Sequence, residues 1–123
     1  MAIHNIRGKT GEQLAAEYLI TQGYDIRDMN WRDGKLEIDI VATDKTTLVI
    51  VEVKTRSTDK YGFPEEAINE KKIRHLVHAA DAYLKYTDIP FETTRFDVIT
   101  ITGEGDDRLL EHVQDAFYPP LEK

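Results

Sequence analysis

Two apolar segments that meet at a short polar stretch constrain this chain more than any other feature. Residues 36–43 alternate between apolar and polar side chains, and residues 46–55 form a run rich in β-branched residues. The polar stretch from Asp44 to Thr47 lies between them. This pattern predicts an antiparallel hairpin. A two-residue turn pairs Asp44 with Thr47, and a longer loop closed by Thr43 and Leu48 keeps the same register.

That register brings charged side chains of both strands together. Asp39 falls opposite Glu52, and Glu37 falls opposite Lys54. Because residues i and i+2 of a strand share a face, all four side chains are expected on one side of the sheet, with directly opposed Cβ atoms roughly 5 Å apart. Four apolar residues are expected to point the other way, into the core: Ile38, Ile40, Val51 and Val53.

Carboxylates that face each other repel, and a hard divalent cation would neutralise both of them. Asp39, Glu52 and the backbone carbonyl of Val53 are therefore candidate ligands for Mg²⁺ or Mn²⁺. Such an ion would activate water and polarise a phosphate, and Lys54 would orient that water or stabilise charge on the phosphate. The alternative is a solvated strand surface, on which Glu37 and Lys54 form a simple cross-strand ion pair.

The rest of the chain completes an α/β (α+β) domain. Residues 11–22 have a helical apolar stripe, with Thr10 as N-cap and Gly23 as the stop signal. A second helix is predicted over residues 64–86 and further strands over residues 24–30, 93–102 and, more weakly, 109–116. The predicted order is α-β-β-β-α-β-(β), a mixed sheet flanked by helices in a single domain over residues 1–123.

Composition narrows the function classes. The chain has no cysteine, which excludes thiol catalysis and disulfides. It has no apolar run long enough for a membrane helix and no signal-peptide pattern at its start, so a cytoplasmic protein without membrane contact is expected. The net charge of −7 disfavours nucleic acid, but residues 1–75 hold 12 of the 16 lysines and arginines. A DNA-binding face within residues 1–75 therefore remains compatible with the sequence.

Four motifs in order and spacing resemble a known family. They are Gly8-x-x-Gly11-Glu12, Glu37-Ile38-Asp39, Val51-Glu52-Val53-Lys54-Thr55-Arg56 and Arg95-Phe96-Asp97-Val98. From about Gly8 to Ile101 the chain resembles the uncharacterised YraN-type bacterial family, which is similar to the archaeal Holliday-junction resolvases of the PD-(D/E)XK nuclease superfamily. In one departure, Leu36 stands where the family usually has a glycine.

The resemblance implies a restriction-endonuclease-like core and a site built from four side chains. Asp39 and Glu52 match the metal-binding acids, Lys54 matches the superfamily lysine, and Glu12 matches the first-helix glutamate that completes such sites. From the residues alone, Glu12 is an acid in the first turn of a helix, where the helix dipole favours it.

The expected activity is metal-dependent hydrolysis of phosphodiester bonds in DNA, including branched DNA. A homodimer would suit a roughly two-fold junction. The alternatives are a nucleic-acid-binding domain that does not cut and a protein-interaction adaptor that uses the acidic C-terminal third. His75 and His78 are spaced to share a metal, but no third ligand is evident nearby. Candidate phosphate contacts are Arg7, Lys9, Arg32, Arg56, Lys71, Lys72 and Arg74.

Overall fold

The structure is a computed structural model that describes residues 9–56 and 69–117. Five strands form one mixed sheet in the order β1-β2-β3-β4-β5, in which only β3 and β4 run parallel. The elements are α1 (Gly11–Thr21), β1 (Asp25–Asp33), β2 (Leu36–Asp44), β3 (Thr47–Arg56), α2 (Glu70–Thr87), β4 (Thr93–Thr102), a short 3₁₀ turn (Gly105–Asp107) and β5 (Leu109–Val113). The α/β class, the mixed sheet and the predicted order are confirmed.

The first helix begins and ends as its sequence predicts. Thr10 caps it: the Thr10 hydroxyl accepts the N–H of Gln13, and the Gln13 side chain accepts the N–H of Thr10. Such a capping box satisfies two amide groups that have no partner within the helix. Gly23 follows the last turn with a φ of 93°, a conformation that favours glycine.

The strand β1 is longer than predicted and irregular. It runs on to Asp33 because Trp31 pairs with Ile38 of β2, whereas the sequence pattern placed the end at Asn30. Asn30 has a φ of 51°, a turn-like value inside a strand. The residues on either side of Asn30 pair with Ile40 and Ile38 of β2. Asn30 therefore lies opposite Asp39.

The β2–β3 hairpin has the predicted register but a shorter ladder. Asp44 pairs with Thr47, and the pairing continues as far as Ile40 with Val51. Beyond that point the remainder of β2 pairs only with β1, and the remainder of β3 pairs only with β4. The sheet therefore forks between β2 and β3, at Asp39 and Glu52.

Two apolar cores lie on opposite faces of the sheet, one under each helix. Ile40 and Val51 pack against α1, whereas Val41 and Leu48 pack against α2. Ile38 also belongs to the α2 core. The expectation that Ile38 and Ile40 share a face is thus wrong, because β2 loses its regular alternation at Asp39.

The second helix begins later than predicted. Asn69 has extended backbone, and its side chain accepts the N–H of Lys72, which makes it the N-cap. A continuous helix from Pro64 would have to pass through Asn69 in helical conformation, so that prediction is wrong. Residues 57–68, which include Pro64, lie outside the described part. Among the described helices none has the length and apolar character to cross a membrane.

Candidate active site

The fork is held open by a side chain. The Asp39 carboxylate accepts the backbone N–H of Val53 at 2.8 Å. In an uninterrupted antiparallel ladder that N–H would find its partner on the neighbouring strand. Asp39 thus satisfies an amide that the fork would otherwise leave unpaired. The predicted ligand role of the Val53 carbonyl stays a prediction.

Glu52 is the most buried acid at the fork. Its side chain is 4% exposed, and its Oε2 lies 3.0 Å from the Lys72 Nζ and 3.4 Å from the Lys54 Nζ. That oxygen has no well-aligned hydrogen-bond donor among the residues that the structure describes. A buried carboxylate requires a counter-charge, and two lysines, from β3 and from α2, supply it.

The pKa values of the neighbouring Asp39 and Glu52 carboxyl groups move in opposite directions. Burial, followed by the hydrogen bond to Glu52 and the charge of Glu52, raises the pKa of Asp39 to about 7. Burial also acts to raise the pKa of Glu52, but the Asp39 carboxyl group and the Lys72 ammonium group outweigh it and hold that pKa below its ordinary value. Asp39 is therefore the carboxyl group of the two that takes up a proton first as the pH falls.

Glu12 of α1 approaches the same site from the other face. Its charge contributes to the raised pKa of Asp39. Its Oε2 is buried and has no hydrogen-bond partner among the residues that the structure describes. The helix lies close to β3 here because Gly11 precedes Glu12: a Cβ on Gly11 would be 2.1 Å from Cγ2 of Thr55.

This set of oxygen donors fits a hard divalent cation in chemical type. It comprises the carboxylates of Glu12, Asp39 and Glu52, and two of them, Glu12 and Glu52, each have a buried oxygen without a hydrogen-bond partner among the described residues. Within residues 9–56 and 69–117, however, no three acidic or histidine side chains are arranged as a complete metal-binding group. In the structure the ammonium groups of Lys54 and Lys72 lie beside the Glu52 carboxylate.

The predicted pairing of Glu37 with Lys54 is absent. Glu37 lies 3.4 Å from Arg32, and its backbone N–H donates to His75 Nε2 at 3.3 Å. Lys54 instead contacts Glu52 on its own strand. The fork explains the difference. Glu37 lies on the part of β2 that pairs only with β1, whereas Lys54 lies on the part of β3 that pairs only with β4. His75 is thus engaged by the backbone of β2.

The residues predicted to contact phosphate differ in their surroundings. Lys9, Arg32 and Arg74 pair with neighbouring acids on exposed surfaces. Lys71 is exposed on α2. Arg56 has no partner within the described ranges and, with Arg108, lines a cavity of about 330 Å³ beyond the end of β3. Arg7 lies outside the described residues.

The sequence predicted Lys72 only as a phosphate contact, and its contact with Glu52 was not predicted. The helical spacing of Lys72 could have indicated that contact. Lys72 is in step with Leu76, Ala79 and Tyr83, the buried stripe of α2. A lysine at the first turn of such a stripe points toward the sheet.

A second polar network surrounds Asp97, and the part that His112 plays in it was not predicted. The Asp97 carboxylate is fully buried on β4 and accepts hydrogen bonds from Arg95 at 2.9 Å, with His112 Nε2 at 2.7 Å. His112 Nδ1 lies 3.0 Å from the hydroxyl of Tyr18 on α1. Burial acts to raise the pKa of Asp97, but His112 and Arg95 outweigh it and hold that pKa below its ordinary value. This network joins α1, β4 and β5 behind the fork.

Fold and site together define a mixed α/β domain with carboxylates and lysines gathered at a fork in the sheet. The chain belongs to uncharacterised protein family UPF0102, whose model matches residues 11–101. This confirms the resemblance to the YraN-type family.

Relatives match over nearly the whole chain. A UPF0102 protein of Bacteroides thetaiotaomicron is 51% identical over 123 residues, covering 98% of this chain and 99% of its own. A UPF0102 protein of Phocaeicola vulgatus is 49% identical with the same coverage. One from Flavobacterium johnsoniae is 44% identical over 121 residues, covering 96% of this chain and 98% of its own. These names state a family and no activity.

Proposed function

We propose that this protein is a metal-dependent endonuclease that hydrolyses phosphodiester bonds in DNA, with branched DNA as its substrate class. The observation that carries the proposal is the coupled pair of Asp39 and Glu52 at the fork. The pair keeps two carboxylates in contact in a buried position, which costs free energy unless a cation or a proton compensates.

Each residue at the fork has a distinct task in this proposal. Asp39 and Glu52 hold Mg²⁺ or Mn²⁺, and Glu12 adds a third carboxylate from α1. Such a cation, when bound, places positive charge beside the phosphorus centre and acidifies nearby water. Asp39 keeps its orientation because one of its carboxylate oxygens accepts the N–H of Val53.

Lys54 is placed to act on the substrate. Its side chain is 33% exposed while its ammonium group reaches Glu52. An ammonium group at the boundary between the buried acids and solvent can contact a phosphate oxygen and stabilise the charge that develops there. The side chain of Arg56, two residues along β3, has no partner within the described ranges and would bind the backbone of the same nucleic acid.

Metal uptake is the first test. Mn²⁺ should raise the melting temperature of the wild-type protein by mass action. Asp39→Asn and Glu52→Gln should lose that rise, because each removes one anionic ligand while keeping a similar shape. Asp33→Asn, an exposed position on β1, is the matched control and should behave as wild type. A wild-type protein that shows no shift in millimolar Mn²⁺ contradicts the proposal.

Cleavage is the second test. Four-way, flap and linear DNA of the same sequence are incubated with protein and Mn²⁺, and products are resolved on denaturing gels. The wild type should cut the branched substrates, whereas Asp39→Asn and Glu52→Gln should lose at least about a hundredfold in rate, a loss of about 2.7 kcal/mol of transition-state stabilisation. Equal residual cutting by all three proteins identifies a contaminating nuclease. Metal uptake and DNA binding without cutting would identify a binding domain.

A further inference from the structure

Lys72 is held in a defined place at the start of α2. Its backbone N–H donates to the side chain of the N-cap Asn69 at 2.9 Å. Its Nζ lies 3.0 Å from the Glu52 Oε2, a closer contact than that of Lys54 at 3.4 Å. The nearer counter-charge of the most buried acid at the fork therefore comes from α2 and not from the strand.

The contact is close but exchangeable. The Lys72 side chain is 35% exposed, so its ammonium group keeps access to solvent. Within the described part of the chain, the Glu52 oxygen that it contacts has no well-aligned hydrogen-bond donor. A lysine on a flexible four-carbon stem can change partners by rotating its side chain. A cation that binds Glu52 must meet or displace this ammonium group, because like charges at such a distance repel.

We propose that Lys72 is the resident counter-ion of Glu52, that it competes with the divalent cation for this carboxylate, and that it contacts a substrate phosphate once displaced. The inference rests on the proposed metal-dependent function. It assigns Lys72 a positioning role before the cation binds and a substrate contact afterwards. Lys71, the neighbouring residue, is exposed on the same helix and has no ion pair to Glu52 in the described part of the chain.

Competition is measured by titrating the full-length protein with Mn²⁺ in a calorimeter, without DNA. Lys72→Met should lower the Mn²⁺ dissociation constant about tenfold, because it removes the competing charge. Lys72→Gln, which retains a hydrogen-bond donor for Glu52, should act in the same direction and serves if Lys72→Met does not fold. Lys71→Met is the matched control, and its dissociation constant should stay within about twofold of wild type; Lys72→Arg should do the same because it keeps the charge.

The contact of the displaced Lys72 with substrate is tested separately, by measuring the affinity for DNA in the presence of Ca²⁺. Lys72→Gln should weaken DNA binding and reduce the salt dependence of the affinity by about one phosphate contact, whereas Lys71→Gln should preserve more of the affinity.

The outcomes separate this inference from the proposed function. An unchanged Mn²⁺ dissociation constant in both Lys72→Met and Lys72→Gln overturns the competition, while the metal site stands if Asp39→Asn still loses Mn²⁺. Tighter Mn²⁺ binding with unchanged DNA affinity overturns the substrate contact. Mn²⁺ binding that survives in Asp39→Asn overturns the proposed metal site itself.

Discussion

The carboxylate of Asp39 accepts the backbone N–H of Val53 at 2.8 Å, and this side-chain contact replaces a rung of the β2–β3 ladder. The fork in the sheet thereby avoids an unsatisfied buried amide, which would cost roughly 1–3 kcal/mol. It also fixes a carboxylate beside Glu52 with a defined orientation. The same residue therefore ends the strand pairing and begins the candidate site, so substitutions at Asp39 must preserve the hydrogen bond if they are to report on charge alone.

Asp39→Asn is expected to stabilise the metal-free protein at pH 8 by about 2 kcal/mol. Burial and Glu52 raise the pKa of Asp39 from its ordinary 3.8 to about 7. The folded protein therefore binds this proton more tightly than the unfolded chain, and the free energy of unfolding falls as the pH rises from about 4 through about 7. Asparagine retains an oxygen for the Val53 N–H and a donor for Glu52 without the charge.

The measurement is urea unfolding in EDTA at pH 5 and pH 8. The stability gap between Asp39→Asn and wild type should be small at pH 5 and large at pH 8. Asp33→Asn, exposed on β1, should track wild type at both pH values. A gap that is the same at pH 5 and pH 8 would show that Asp39 and Glu52 are not coupled in this way.

Gly11→Ala is expected to disturb both stability and metal uptake. A Cβ at this position would be 2.1 Å from Cγ2 of Thr55, so either the Thr55 side chain or α1 must shift. Such overpacking typically costs 1–3 kcal/mol. Since Glu12 follows directly, a shift of α1 should also weaken Mn²⁺ binding.

The double variant Gly11→Ala/Thr55→Ser tests the cause, because serine has no Cγ2. It should recover most of the lost melting temperature and Mn²⁺ affinity relative to Gly11→Ala. Thr55→Ser alone is the control and should be near wild type in both measurements. A double variant no better than Gly11→Ala would mean that the close approach to Thr55 does not position the helix.

Arg95→Met is expected to destabilise the protein by about 3–5 kcal/mol, because it removes one of the two side chains that compensate the buried Asp97 carboxylate. Asp97 is fully buried, and Arg95 donates two hydrogen bonds to it with its side chain only 16% exposed. Arg74→Met is the contrasting variant. Its ion pair with Glu70 is exposed, so the change should stay within about 0.5 kcal/mol. Chemical unfolding at pH 7 measures both, and similar losses in the two variants would contradict the assigned role of Asp97.

Arg56→Gln is expected to weaken DNA binding to all sequences alike. Arg56 lines a cavity beyond the end of β3 and has no partner within the described ranges. Loss of one phosphate contact should lower the slope of log affinity against log salt concentration by about 1. Lys45→Gln, exposed at the opposite end of β3, is the control. Fluorescence anisotropy over a salt series gives both slopes, and equal slopes for the two variants would remove Arg56 from the binding surface.

Local sequence patterns predicted most of the architecture. The capping signals of Thr10, the stop at Gly23 and the polar turn at Asp44 act between near neighbours, so they are readable from the chain alone. The hairpin register followed from the same local geometry and brought Asp39 and Glu52 together. The predicted start of α2 was wrong. The pattern at Pro64 is typical of a helix start, but the helix is capped by Asn69.

Only the tertiary structure decided how the site is charged and oriented. The fork arises because β2 stays with β1 while β3 stays with β4, a competition between partners that are distant in sequence. It separates Glu37 from Lys54, and it opens Glu52 to Lys72 of α2. Burial and long-range charge set the pKa of Asp39, and these depend on how helices pack on both faces of the sheet. Sequence spacing determined which acids meet, whereas packing determined which cations accompany them.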